Sequence, residues 1–492
     1  MITSREDLLG ALARLELEYG DCLELEAKTF SEYSSGSIGP SLCSLANLPG
    51  GGTILLGIDE RAEDPIVGVD DPHDMAQRVT NQARGKGFST PLTVEAQVLQ
   101  IDSKTVVAIN VSELPPNQKP CMWQGRAFIR QYDGDYTMSL QEQQQLLRRH
   151  ERPRDDRAPV PGTSPTEDLN PAAVSAFATS VRRSTPALAD ATDDQILRRL
   201  NVVASSGEVT VAGLYALGIY PQQHLPHLSL TAAVEPMDGN GPEARASNRK
   251  DFSGPLPDIL SRSVDWVAEN LRSTLVVTKD GRSDTEFAIP LVAVREVIAN
   301  ALVHRDLSDA TAGRCVELRL TSRGLVLTSP GGLWGLSVDQ LGTPDGKSAV
   351  NEFLYEICRH VSGANGRVIE AMGTGIRETQ NALREAGLEA ALFRDNGVRF
   401  TVIFPNHALH SHDELRWIGS IDTSGLTPAQ LEALLRMRSG TAITNADFRA
   451  FAGTDSARAR AELKELVARG LADRVGERRG TRYVISRRAA EA

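Results

Sequence analysis

In residues 295–308, REVIANALVHRDLS, Glu296, Asn300 and His304 recur at every fourth position. On a helix that spacing lines the three up on one face, while Val294, Val297, Ile298, Ala301 and Leu302 form a separate apolar stripe. Such a helix buries one face and presents polar groups on another. Those groups are either a solvated face ending in a histidine or the wall of a site. A second set of groups lies near the N-terminus. Asp21, Glu24 and Glu26 stand close together in DCLELEAKTF, and Asp59 ends TILLGID. Carboxylates that converge can hold magnesium or manganese, which generates a nucleophile and stabilises a leaving oxygen. The local alternative is that Glu26 pairs with Lys28 along a strand and Asp59 opens a turn. The third set is basic: Arg458, Arg460 and Lys464 in one segment, and Arg478, Arg479 and Arg482 in the next. These suit contact with nucleic-acid phosphates and base edges, or are solvated in a module that binds protein.

Elements must position these groups. Residues 1–150 alternate helical and strand patterns, with a helical face at Leu42, Leu45 and Ala46, a glycine turn at 50–52 and a buried strand TILLGI. TVEAQVLQIDSKTVVAINV reads as two strands about a turn, and GRAFIRQYDGDYTMS as a strand followed by a loop. Residues 151–192 are rich in Pro, Ala, Ser and charge and read as a linker carrying one helix at PAAVSAFATSVRR. A second α/β region, 193–406, has strands at HLSLTAAVEP, TLVVTKD, CVELRLT and GLVLTSP, and helices near 255–272, 290–305, 349–362 and 374–387. In the region 421–492, three helices and a hairpin with a basic turn give the order of a winged helix-turn-helix. The fold class expected is α/β and multidomain.

Bulk properties bound the function. The chain has 492 residues, 41% hydrophobic and 24% charged, as ordinary globular proteins do. No apolar run approaches a membrane span, and the start, MITSREDLLG, reads as a helix capped by Ser4 and Asp7 rather than a signal peptide. Five cysteines without a CxxC pair suit a reducing compartment, so a cytoplasmic location is expected. The net charge of −11 opposes a whole-molecule footprint for nucleic acid. It is uneven, however: roughly −8 over residues 1–150 and roughly +4 over 421–492. HRDLS is not a kinase catalytic loop, because the position that should hold a magnesium-binding Asn is Thr311. His407, His410 and His412 have some metal-like spacing but lie in a polar link, where a solvated tract is the simpler reading.

Downstream of the Glu/Asn helix, TSPGGLWG follows a strand and AMGTGIRET opens a helix. Glycines in those places let backbone N–H groups approach phosphate. The order resembles the GHKL ATPase fold. Residues 1–150 resemble the Schlafen AlbA-type DNA-binding domain through LELEAKTF, SLANLPGGGTILLGIDE and RQYDGDY. Residues 250–405 resemble the RecG-like C-terminal ATP-binding domain through DFSGPLPDIL, REVIANALVHRDLS, LTSPGGL and EAMGTGI. The resemblance implies a Schlafen/AlbA-like α+β domain and a GHKL-like α/β sandwich. It also implies a bacterial transcriptional regulator, for which a C-terminal winged helix is a common companion. It carries the water-polarising role to Glu296, the magnesium-ligating role to Asn300, and the nucleotide-binding turns to Gly331, Gly332, Gly373 and Gly375, with ATP and Mg²⁺ as cofactors. Two departures stand out: TSPGGL lacks the acid that reads adenine in GHKL ATPases, and the Arg-Asn-Pro of many relatives is replaced by AVNE at 349–352. ATP binding is therefore expected ahead of turnover. Schlafen endoribonucleases use three acids at places matching Asp21, Glu26 and Asp59, although the first is commonly Glu. The leading expectation is a DNA-binding regulator, a homodimer on double-stranded DNA, that senses an adenine nucleotide. The alternatives are a metal-dependent endoribonuclease acting on RNA, and a nucleotide-gated protein-interaction module.

Overall fold

The computed structural model describes residues 1–18, 22–29, 35–59, 62, 64–101, 103–131, 134–148, 153–235, 247–271, 273–277, 283–321, 324–343, 348–364, 366–369, 374–405, 417, 421, 426–438, 440–452, 454–476 and 481–490. Asp21, Gly373, Arg478, Arg479, His407, His410 and His412 lie outside these. The chain is a mixed α/β protein with several sheets, divided into two compact units, Met1–Asn406 and His407–Ala492.

The first unit opens on the helix Arg5–Glu18, closed by the reciprocal cap expected of Ser4 and Asp7: the Asp7 N–H donates to Ser4 Oγ at 3.1 Å and Asp7 Oδ2 accepts from the Ser4 N–H at 2.9 Å. Strands β1 (Leu25–Lys28), β2 (Gly52–Leu56), β3 (Val94–Ile101) and β4 (Lys104–Val111) form one sheet in the order β1-β2-β4-β3, with only β1 and β2 parallel. Alternation along β2 sends Ile54 and Leu56 to one face, against Ile38, Leu42 and Leu45 of the helix Ser35–Asn47. Leu55 goes to the other face, against Leu8, Ala11 and Leu15. Burial on both faces explains why Ile54, Leu55 and Leu56 form an unbroken apolar run. The short strand β5 (Met122–Trp123) pairs with β6 (Arg126–Gln131), which pairs with β7 (Gly134–Thr137). The loop expected after β6 is thus partly a returning strand. The helix Leu140–Arg148 follows.

Residues 153–192, expected as a linker, belong to the next core. Val160, Leu169, Phe177, Ala178 and Val181 are buried with Trp266, Val297 and Leu318 in one apolar cluster. The helix read at PAAVSAFATSVRR is present as Pro171–Ser184, capped by Asn170. Strands β8 (Leu230–Val234), β9 (Ser247–Phe252), β12 (Val316–Thr321), β13 (Gly324–Pro330), β16 (Leu392–Asp395) and β17 (Arg399–Pro405) form a six-stranded sheet in the order β16-β17-β13-β12-β8-β9. Two hairpins lie outside it, β10 (Ser273–Val277) with β11 (Ser283–Phe287) and β14 (Ser362–Gly363) with β15 (Gly366–Arg367). The helix Leu291–Val303 packs against the helices Leu256–Asn270 and Gly375–Glu385 and against β13. Its expected apolar stripe, Val294, Val297, Ile298, Ala301 and Leu302, is buried.

The second unit holds the helices Pro428–Arg438, Asn445–Ala452 and Ser456–Ala468, then β18 (Ala472–Val475) paired with β19 (Arg482–Ile485). Leu434, Phe448, Leu463, Leu466 and Tyr483 share its core, and Ile443 bridges to Tyr483 beside the hairpin. Among the described residues no helix is long and apolar enough to cross a membrane.

Candidate functional site

The polar line of the Leu291–Val303 helix faces a cavity of about 360 Å³, within the usual range for small-molecule sites. Glu296, Asn300 and His304 all line it, so the face on which they recur borders a cavity rather than open solvent. Asn300 Nδ2 donates to Glu296 Oε1 at 3.1 Å, which leaves the side-chain oxygen Oδ1 of Asn300 as the atom able to accept or ligate. His304 closes the helix. Its backbone N–H donates to the Asn300 backbone carbonyl, its ring lies 6.0 Å from that of Tyr355, and burial pushes its pKa down to about 4. The imidazole is neutral at pH 7, and its Nδ1 is buried without a hydrogen-bond partner.

The glycines have distinct reasons to be glycines. A Cβ at Gly375, the first residue of its helix, would overlap Glu296 Oε1, so the start of this helix lies against that carboxylate. At Gly331 the backbone has φ +92°, and a Cβ would meet Asp306 Cβ at 2.6 Å. At Gly332 a Cβ would overlap Asp395 Oδ1. The first glycine turn is therefore required by packing against two aspartates, a reason the motif alone does not reveal. Asp395 does not line the cavity, and its carboxylate holds the turn instead: Oδ2 accepts from the Leu333 N–H at 3.0 Å and Oδ1 from the Gly397 N–H at 2.8 Å. Asn351, within the atypical AVNE, is 1% exposed and donates through Nδ2 to the carbonyls of Val303 and Arg305, both at 2.8 Å. It ties the segment beside the cavity to the end of the Glu/Asn helix. Thr311 is buried, with Oγ1 donating to the carbonyls of Asp306 and Ser308. Sequence reasoning passes over Asp395 and cannot foresee the roles of Asp306 and Asn351, because the groups that Asp395 shares with Leu333, Asp306 with Gln145 and Asn351 with Val303 are brought together from distant parts of the chain.

At the N-terminal acids the geometry is of another kind. Glu26, 3% exposed, accepts from Arg130 Nη1 at 2.9 Å and Ser41 Oγ at 3.0 Å, and lies 2.6 Å from Lys28 Nζ. Burial raises its pKa, against the pull of Arg130 and Lys28. Asp135 joins the network through Ser41 Oγ at 2.7 Å, Ser44 Oγ, and Arg130 at 3.3 Å. The Glu26–Lys28 pair, the local alternative to a metal site, is thus present, and a cation at Glu26 would have to compete with two resident positive charges. Asp59 is half-buried at the turn after β2, where its N–H donates to the Pro65 carbonyl. Among the described residues no group of three or more His, Cys, Asp or Glu is arranged to hold a metal. Asn47, unremarked in the sequence, anchors this domain internally, with Nδ2 on the Phe128 and Cys121 carbonyls and Oδ1 accepting from the Cys121 N–H. All five cysteines are free thiols.

In the second unit Arg458, Arg460, Lys464 and Arg482 are exposed. Asp455 caps the helix that carries the first three, and Arg458 Nε is held by Glu462 Oε1 at 3.0 Å.

Comparison with known proteins divides along the same lines. Residues 22–139 match the family model described as "Schlafen, AlbA_2". Residues 313–404 match the one described as "Putative ATP-dependent DNA helicase recG C-terminal". The resemblance read from the motifs is thereby found in both segments. The RecG C-terminal match spans Gly331, Gly332 and Gly375 but begins after Glu296 and Asn300, and the Schlafen match begins after Asp21. Among solved structures, the DIP2311 protein from Corynebacterium diphtheriae aligns at 16% identity over 98% of this chain and 99% of that chain, with a TM-score of 0.37. The N-terminal domain of the "Putative ATP-dependent DNA Helicase RecG-related Protein" from Nitrosomonas europaea aligns at 24% identity over 28% of this chain and 95% of that chain, with a TM-score of 0.22. Neither likeness is close enough to carry an argument. No curated protein matches.

Proposed function

We propose that this protein is a nucleotide-responsive DNA-binding regulator, with its nucleotide site in the cavity between the helices Leu291–Val303 and Gly375–Glu385. The observation that carries the reading is the convergence of Glu296, Asn300 and the start of the Gly375–Glu385 helix on one cavity of nucleotide-binding size. A helix N-terminus offers unpaired N–H groups and a positive dipole end to phosphate. The Asn300 side-chain oxygen Oδ1 would ligate a phosphate-bound Mg²⁺, which supplies charge neutralisation when present. Glu296, the only acid among the described lining residues, would orient water rather than bind the nucleotide. No Lys or Arg stands among those lining residues, so phosphate charge would rest on the cation and the helix start. That deficit favours sensing over rapid turnover. DNA binding is placed in residues 421–492, read as a winged helix-turn-helix on the order of three helices and a hairpin, with Arg458, Arg460 and Lys464 exposed on the third helix. A homodimer on a repeated site would supply the specificity one such module lacks.

The test is calorimetry of the full-length chain with ATP and ADP in the presence of Mg²⁺, followed by gel shifts on genomic DNA fragments with and without nucleotide. Binding of nucleotide at micromolar concentrations, with a change in the gel shift, supports the reading. No nucleotide binding up to millimolar concentrations removes it.

A further inference from the structure

The turn after β13 has two faces. On one, residues 331–334 line the large cavity. On the other they line a smaller space of about 70 Å³, whose opposite wall includes Gln145 and Arg148 of the N-terminal region. The turn is gripped by two backbone–backbone bonds, the Asp306 N–H to the Pro330 carbonyl at 2.8 Å and the Gly331 N–H to the Val398 carbonyl at 2.8 Å, and by one to a side chain, the Leu333 N–H to Asp395 Oδ2 at 3.0 Å. The N-terminal region holds the same grips from outside. Gln145 Nε2 donates to Asp306 Oδ2 at 3.4 Å, and Asn396 Nδ2 donates to the Arg130 carbonyl at 3.4 Å. Val398 is buried among Ala127, Ile129, Met138 and Leu146. Glu142 Oε1, on a side chain 8% exposed, faces Arg314 at 3.4 Å and Arg399 at 3.8 Å.

We infer that the Schlafen-like region reads the occupancy of the cavity through this turn, so that ligand binding and the seating of residues 126–148 on the 306–314 and 395–399 segments are energetically coupled. The inference rests on the nucleotide reading of the cavity and adds its regulation. A ligand that shifts 331–334 must also shift Asp306 and the β16–β17 hairpin, because close-packed segments do not deform independently. Both touch the N-terminal region, and Arg130, whose carbonyl takes the Asn396 bond, spends its guanidinium on Glu26 and Asp135. Coupling of this kind is reciprocal. Loosening the interface from the N-terminal side must therefore change the affinity of a cavity that the altered residues do not line.

The experiment uses the full-length chain and ADP with Mg²⁺. Affinity is measured by calorimetry for wild type, Gln145→Ala and Glu142→Gln. The glutamine retains the helix-capping side chain (Glu142 Oε2 accepts from the Ser139 N–H and hydroxyl) while removing the charge that faces the two arginines. Hydrogen exchange of residues 126–148 is followed with and without nucleotide. The expected result is an affinity changed about fivefold or more in at least one variant, the lower end of ordinary allosteric coupling, and altered exchange on nucleotide addition. If both variants bind within about twofold of wild type, or if nucleotide leaves the exchange unchanged, the coupling is refuted while the nucleotide site stands. If wild type binds no nucleotide, the nucleotide reading is itself refuted, and the coupling with it.

Discussion

At the scale of single residues, Asn300 and Glu296 sit side by side, and the proposed function gives them separable duties. Asn300→Ala removes the proposed cation ligand and is expected to weaken Mg²⁺-nucleotide binding about tenfold or more, whereas Glu296→Gln should spare binding and abolish any hydrolysis; calorimetry and a phosphate-release assay separate the two. Gly375→Ala is a sharper probe. The backbone there is not in the left-handed region, so the obstacle to a methyl group is Glu296 itself. The substitution should cost nucleotide affinity with little loss of thermal stability. His304 gives a pH signature. With its folded pKa near 4 against an unfolded value near 6.5, the unfolded chain binds the extra proton first. Stability is therefore full above about pH 6.5 and falls as pH drops toward 4, by at most about 3 kcal/mol from this group. Urea titrations at pH 7.5 and 4.5 should show that loss, and His304→Gln should shrink it. The Glu/Asn/His line was legible because helical periodicity is local. The Glu26–Arg130–Asp135 network was not, since its members lie on β1, β6 and β7 and no spacing rule joins them.

Among elements, sequence patterns succeed where they repeat within one segment and fail where the core is assembled from afar. The helices Leu291–Val303 and Gly375–Glu385 and strands β12 and β13 follow from periodicity, and β13 also from the glycines at its two ends. The helix Pro171–Ser184 was legible too, but the place of residues 153–192 in the core was not, because proline, alanine and serine dilute the apolar signal of Leu169, Phe177 and Val181, whose partners come from other elements. The same holds for the segment before the helix Glu352–Cys358. Asn351 caps two carbonyls at the end of the Glu/Asn helix, and Asp156 Oδ2 accepts from the Phe353 and Leu354 N–H groups at the start of the next one. Burial raises the Asp156 pKa against the pull of those two bonds. Asn351→Ala strands two buried carbonyls and is expected to destabilise the first unit by about 2–3 kcal/mol, read as a lowered urea midpoint. Because the anchored segment borders the cavity, nucleotide affinity should fall with it.

For the molecule as a whole, charge and division into units point the same way. An acidic chain places its excess of positive charge in residues 421–492, within the compact unit His407–Ala492. Binding to duplex DNA should therefore be lost on removing residues 407–492, while nucleotide binding by the remaining unit persists. Counterion release makes affinity fall with salt at a log–log slope of about −0.9 per phosphate neutralised. Replacing Arg478 and Arg479 with Ala should weaken binding on all sequences alike and flatten that slope by about one unit for each phosphate no longer neutralised. Arg458 behaves differently. It is already paired with Glu462, so binding DNA must exchange one partner for another, and that exposed pair contributes at most about 1 kcal/mol. Glu462→Gln should free the arginine and strengthen binding modestly, whereas Arg460→Ala should alter sequence preference if that side chain reaches a base edge, at about 1–3 kcal/mol for a bidentate pair. Gel shifts across a salt series, on a preferred site and on a scrambled one, distinguish these outcomes. Undiminished duplex binding by the truncated chain would instead assign the DNA-binding surface to the first unit, where the Schlafen AlbA_2 match lies.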